Sequence, residues 1–127
     1  MKLFLYNLIL LGLTPFLALR ILHKSLYDKD YRANFLQRFG IVNYKDIQIS
    51  QKKTIWFHAV SLGEVIGSRD IIEPLLINST INLTVSTPTG LRKAKELYKD
   101  YDIQISYSPW DFYLCVNSYL NKIKPDL

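Results

Sequence analysis

The sequence predicts an α/β protein: an N-terminal membrane-anchor helix followed by an incomplete parallel sheet of the doubly wound kind. Three observations predict it. Residues 3–19 carry no charge. From Thr54 onward, short runs of strand-forming residues alternate with helix-length segments, the pattern of βαβ units. The chain closes at Lys124-Pro125-Asp126-Leu127, where a fourth strand should begin. Right-handed crossovers give the order 3-2-1, with the fourth strand beside the first. As the sequence stands, the first strand is then an uncovered edge that invites association. The chain reads as the N-terminal piece of a longer protein. It divides into an anchor (1–22), a basic juxtamembrane helix and linker (23–53), and a partial domain (54–127).

The anchor comes first. At about 1.5 Å per residue, the uncharged stretch makes roughly 26 Å of helix, against a hydrocarbon core about 30 Å thick. Ile21 and Leu22 extend it if Arg20 snorkels outward. Pro15 would kink it, which membrane helices tolerate. No small-residue cleavage site follows Ala18, which argues against a signal peptide. Lys2 stands alone on one side. Arg20, Lys24, Lys29, Arg32 and Arg38 lie on the other, so the positive-inside tendency puts the rest of the chain in the cytoplasm. Arg20, Lys24, Arg32 and Arg38 are the residues expected to face an anionic membrane surface.

Residues 28–40 predict a short helix ended by Gly40. Tyr31, Phe35 and Phe39 share one face of it. That stripe either packs on the following domain or lies along the bilayer, and the two can coexist. Residues 41–53 form a polar connection with one weak strand signal, Ile47 to Ile49.

The domain begins with a strand, Ile55–Val60, then a helix, Glu64–Leu76, whose last turn Pro74 is expected to shorten or kink. A second strand, Ile81–Ser86, is rich in β-branched residues. Leu91–Tyr98 is a helix with Arg92, Lys93 and Lys95 on its solvent face. Ile103–Tyr107 is the third strand. Ser108-Pro-Trp-Asp111 opens a third helix that runs to about Ile123.

Composition bounds the function. The net charge is +5 with pI ≈ 9.3, which favours anionic partners. The basic residues form no block and no aromatic-basic motif, so nucleic acid is not expected. Cys115 is alone and the two histidines are far apart, so neither a disulfide framework nor a metal site is expected. Gly63-Glu-Val-Ile-Gly67 has the wrong spacing for a dinucleotide fingerprint, and no Walker lysine is present. That argues against an unrelated nucleotide-binding protein. His58 reads as a strand-end histidine, since no Ser-His-Asp arrangement is in view.

The turns after the strands can carry chemistry, because open α/β sheets bind ligands at the carboxyl ends of their strands. Ser61-Leu-Gly-Glu64 fits a capping box, with Glu64 reaching back to the Ser61 amide. Thr87-Pro88 and Ser108-Pro109 are N-caps followed by Pro. Three helix N-termini at one edge attract anions. A carboxylate there can act as a general base on a hydroxyl. On the residues alone, Glu64 is open to both readings, cap and base.

Ile55-Trp-Phe-His-Ala-Val-Ser-Leu-Gly-Glu64 resembles the signature of the 3-deoxy-D-manno-octulosonic acid (Kdo) transferases. Arg38-Phe-Gly40, Thr84-Val-Ser-Thr-Pro-Thr-Gly90, Tyr107-Ser-Pro-Trp-Asp111 and Lys124-Pro-Asp-Leu127 resemble further stretches of that family, in the same order. The resemblance implies the acceptor half of a B-type glycosyltransferase with two Rossmann-like halves, this half incomplete. It implies transfer of Kdo from CMP-Kdo to a lipid A precursor at the cytoplasmic face of the inner membrane, by an inverting transferase. It makes Glu64 the general base. Ser61, Gly63, Thr87, Thr89, Gly90 and Asp111 become cleft-lining or acceptor-binding residues. No cofactor is implied, and CMP-Kdo would bind a C-terminal domain beyond Leu127, in the same or a separate chain. The alternative is a non-catalytic, membrane-attached binding module, distinguished by the lack of any donor-binding half.

Overall fold

The computed structural model describes residues 2–27, 29–32, 34–43 and 52–127. Three strands, β1 (Lys53–Ala59), β2 (Ser79–Val85) and β3 (Ile103–Tyr107), form a parallel sheet in the order β1-β2-β3. Phe57, Leu83 and Ile105 fall in register across it, as do His58, Thr84 and Ser106. Because strand side chains alternate, these two rows mark opposite faces.

One face is apolar. Ile55, Ala59, Ile81, Leu83, Val85 and Tyr107 pack there with Val65, Ile72, Leu91 and Ala94. Those four come from α3 (Leu62–Gly67), α4 (Arg69–Leu75) and α5 (Pro88–Leu97). Each fully buried aliphatic side chain contributes about 1.5–3 kcal/mol, so this layer dominates stability. The other face is more polar, with Trp56, His58, Asn82, Thr84 and Ser106. Here α6 (Tyr113–Ile123) supplies Tyr119 and Ile123, which cluster with Val42 and Trp56. The Trp56 and Tyr119 rings lie 5.2 Å apart.

The single helix expected over 64–76 is two. It breaks at Ser68, whose hydroxyl donates to the Val65 carbonyl at 3.1 Å. Gly67 and Ser68 are weak helix formers, and the serine offers its own bond in place of a continuing turn. The juxtamembrane helix is also divided. A four-residue α2 (Lys29–Arg32) is followed by a 3-10 turn over Phe35–Phe39. Asn34, in the left-handed region at φ 62, separates them, and Gly40 at φ 77 ends the second. Phe35 and Phe39 both contact Trp110, with centroids 6.0 and 4.9 Å away, so these two rings pack on the domain. The Tyr31 side chain and the strand signal at 47–49 lie outside what is described.

The N-terminal helix α1 (Lys2–Tyr27) extends past the expected boundary at residue 22. Its segment Phe4–Lys24 is long and apolar enough to cross a membrane, with mean hydropathy 1.8 and none of it buried. Pro15 sits inside it, and the Thr14 hydroxyl donates to the Leu10 carbonyl at 2.8 Å.

The outer edge of β1 is less open than expected. The Trp56 amide donates to the Leu127 carbonyl and the Asp126 amide to the Thr54 carbonyl, both at 2.7 Å. The Asp126 carboxylate accepts from the Thr54 amide at 2.8 Å. These bonds begin a pairing on the side of β1 where a fourth strand was expected.

Candidate functional site

The carboxyl edge of the sheet gathers the turns. Pairing continues one residue past the strands: the Ser86 amide donates to the Val60 carbonyl at 3.2 Å, and the Ser108 amide to Val85 at 3.0 Å. Val60, Ser86 and Ser108 therefore stand in a row at this edge.

Glu64 lies in the first turn of α3 and is exposed. One of its carboxylate oxygens accepts from the Val60 amide at 2.7 Å. The capping box is thus altered. Glu64 reaches back one residue farther than expected, and the Ser61 side chain makes no capping bond. Ser61 contributes its carbonyl instead, which accepts from the Val65 amide at 3.0 Å. The bond at Val60 holds the carboxylate over the end of β1 while leaving oxygen lone pairs open to solvent.

Thr87 does cap its helix, accepting from the Gly90 amide at 3.2 Å, with Pro88 opening the first turn. Gly90 is buried. A Cβ there would stand 2.7 Å from a Val85 methyl and 3.2 Å from the Leu62 amide nitrogen. Glycine thus lets the start of α5 approach the start of α3, bringing Ser61, Gly63 and Glu64 near Thr87, Thr89 and Gly90. Gly63 and Thr89 are exposed.

Ser108 does not start a helix. Its hydroxyl donates to the Pro109 carbonyl at 3.2 Å, and α6 begins only at Tyr113. The Trp110 amide donates to the Arg38 carbonyl at 2.7 Å, which pins the segment to the 3-10 turn. Asp111 is exposed and accepts from the Tyr6 hydroxyl of α1.

On the polar face of the sheet, this edge opens into a cavity of about 620 Å³. Arg38, Trp56, His58, Ser86, Ser108 and Asp111 are among its lining. Of the residues expected in the cleft, Asp111 alone is in its lining; Ser61, Gly63, Glu64, Thr87, Thr89 and Gly90 are not. The His58 Nδ1 lies 3.0 Å from the Thr84 hydroxyl, which also accepts from the Trp56 indole N–H at 2.9 Å. Alternation in the strands puts Trp56, His58, Asn82 and Thr84 on one face, but by itself it does not reveal a cavity there.

Arg38 departs from the membrane-surface role. It is buried, at 7% exposure. Its guanidinium lies 4.2 Å from the Tyr107 ring centroid and donates to the Ser86 carbonyl at 3.2 Å. The break at Asn34 separates it from Arg32, which stays exposed beside α1 together with Arg20 and Lys24.

An apolar helix long enough to cross a membrane, an open parallel sheet and a carboxylate at the carboxyl edge of that sheet define an α/β protein with a cleft at that edge. Residues 33–127 match the family described as 3-Deoxy-D-manno-octulosonic-acid transferase (kdotransferase), and the chain belongs to that family. It is 28% identical over 127 residues to the 3-deoxy-D-manno-octulosonic acid transferase of Haemophilus influenzae, covering 98% of this chain and 29% of that protein. The enzyme of the same name from Chlamydia trachomatis is 26% identical over 117 residues, 87% of this chain and 26% of that protein. A bifunctional glycosyltransferase/methyltransferase of Fusobacterium nucleatum is 31% identical over 101 residues, 77% of this chain and 16% of that protein. The chain thus spans less than a third of the length of these curated relatives. No solved structure matches it.

Proposed function

We propose that this chain is the acceptor-binding N-terminal part of a Kdo transferase of lipopolysaccharide synthesis. α1 holds it at the cytoplasmic face of the inner membrane, and the donor, CMP-Kdo, binds a C-terminal half. The acceptor is a lipid A precursor. An acceptor hydroxyl attacks the anomeric carbon of Kdo as the bond to CMP breaks, with inversion. Glu64 takes the hydroxyl proton, and CMP leaves with the bonding electrons.

The observation that carries this reading is the Glu64 carboxylate, held at the end of β1 by the Val60 amide and exposed to solvent. A base in this position typically contributes about 10²–10⁴-fold in rate. Glu64→Gln keeps an oxygen for the Val60 amide and removes the base. The test measures Kdo transfer to the lipid A precursor, with this chain joined to a donor-binding half. A fall of that size at unchanged thermal stability is expected. A variant as fast as the parent would remove Glu64 from the mechanism.

A further inference from the structure

We propose that α1 does not cross the bilayer but lies in the plane of one leaflet, with both of its ends on the side where the domain sits. The proposal rests on the membrane-holding role given to α1 above and specifies its geometry.

Three features carry it. First, one face of α1 belongs to the domain. Among the described residues of this helix, Asn7, Leu10, Thr14 and Ile21 are half-buried and the rest are exposed. At about 100° per residue, these four fall within a sector of about 60°. Asn7 and Thr14, the polar side chains without rings in the uncharged stretch, are both among them. The opposite face carries Leu5, Leu8, Ile9, Phe16 and Leu19, each more than half exposed. A Cβ at Gly12, on that same face, would meet no atom within 4 Å. The helix therefore has an inner side and an outer side, although its sequence is apolar nearly all round.

Second, the domain follows α1 along most of its length. At one end the Tyr6 hydroxyl donates to the Asp111 carboxylate, and Asn7 lines a groove with Tyr113 and Asn117 of α6. Toward the other end, Thr14 and Ile21 line a second groove with Phe35, Phe39 and Trp110. Tyr6 and Ile21 stand about 22 Å apart along the axis, at about 1.5 Å per residue. That is most of the roughly 30 Å hydrocarbon core. A spanning α1 would carry Asp111 and the start of α6 through the hydrocarbon with it, where a carboxylate is strongly disfavoured. A flat α1 keeps the same packing and leaves Asp111 on the water side.

Third, the cations suit a surface. Arg20 falls inside the apolar segment Phe4–Lys24. It is exposed, as is Lys24 one turn later, and the two share a flank between the inner and outer faces. In a flat helix both reach headgroup level beside the immersed face, the arrangement of interfacial helices, and anionic lipids attract them there. The exposed Arg32 stands at the rim of the second groove and adds to that charge. Because Asp111 both bonds Tyr6 and lines the cavity at the sheet edge, a flat α1 also fixes the height of that cavity above the leaflet.

The test uses the whole chain in vesicles of phosphatidylethanolamine and phosphatidylglycerol. Leu5→Cys, Gly12→Cys and Phe16→Cys each put one spin label on the outer face. Cys115 is buried, and the parent treated with the same label supplies the background. Depth is read from the relative access of oxygen and of a water-soluble nickel chelate. Three equal depths are expected, about 5–10 Å into the boundary between headgroups and acyl chains. Leu5→Cys combined with Leu114→Cys, an exposed position on α6, tests the packing itself. One narrow distance between the two labels is expected; a broad spread, with α1 swinging free of α6, would overturn the proposal. Depths that change by about 15 Å from Leu5 to Phe16 would show a span at about 1.5 Å per residue. That result would overturn the flat helix and leave the membrane-held transferase reading standing. A chain that stays in solution, with all three labels in water, would overturn both. A flat α1 in an assembly that transfers no Kdo would uphold the geometry and remove the transferase reading.

Discussion

Gly40 is the position where one methyl group should do most damage. Its φ of 77 places it in the left-handed region, where an L-residue costs about 1–2 kcal/mol. It is also pressed against α6. A Cβ would collide with the Cys115 carbonyl oxygen, and would stand 2.9 Å from the Tyr119 amide nitrogen and 3.1 Å from the Ser118 Cβ. Two of those three atoms are backbone, so relief requires α6 to move, and overpacking of this kind costs about 1–3 kcal/mol. Gly40→Ala should therefore destabilise by about 2–5 kcal/mol, enough to lower Tm by about 8 °C or more in a domain this small. Thermal unfolding followed by tryptophan fluorescence measures it. Trp56 packs on Tyr119 of α6 and Trp110 on the 3-10 turn, so both report the joint. Cys115 gives a second signal. Its thiol is buried and burial pushes its pKa up, so a thiol reagent should react slowly with the parent and faster with the variant. Gly67→Ala is the contrast: no atom lies within 4 Å of its added methyl, and up to about 1 kcal/mol of stabilisation is expected. A Gly40→Ala protein that melts with the parent and keeps Cys115 protected would refute the account of this joint.

Two further outcomes are expected. Thr87→Ala removes the bond to the Gly90 amide and should cost about 1 kcal/mol, read by urea unfolding; Thr87→Ser should recover most of it. The Arg69 guanidinium, bonded to Glu73 at 2.6 Å, and the Tyr101 hydroxyl hold the Glu73 carboxyl below its usual range. A carboxyl with a lowered folded pKa adds stability above its unfolded value and loses it as pH falls through the folded one. The Tm of Glu73→Gln should thus lie slightly below the parent's near neutrality and converge with it in acid; a gap constant across pH would contradict this.

The strands and their order were legible because β-branched runs and period-two alternation report directly on a buried parallel sheet. The Thr87 cap and the Gly40 stop were legible too, since each needs only local chemistry. Residues 108–111 misled because tertiary partners claim their amides. Ser108 bonds Val85 and Trp110 bonds Arg38, which leaves α6 to start later. Arg38 misled because helical periodicity was carried through Asn34, a residue that tolerates the left-handed conformation and breaks the phase. The cavity was hidden for a different reason. Arg38, His58, Ser86 and Asp111 are assembled by crossovers, and no local pattern joins them.

The pairing at the start of β1 bears on the order of synthesis. β1, β2 and β3 neighbour one another in sequence and in space, so each finds its partner soon after it emerges. The far side of β1 waits much longer, because Thr54 bonds Asp126 across a separation of 72 residues. At about 5–20 residues per second, that interval is roughly 4–14 s. During it the strand leading to Glu64 has one side bare, in a chain that already carries the exposed apolar helix α1. The lysines at 52 and 53, at the start of this strand, put positive charge there, a known deterrent to edge-to-edge pairing.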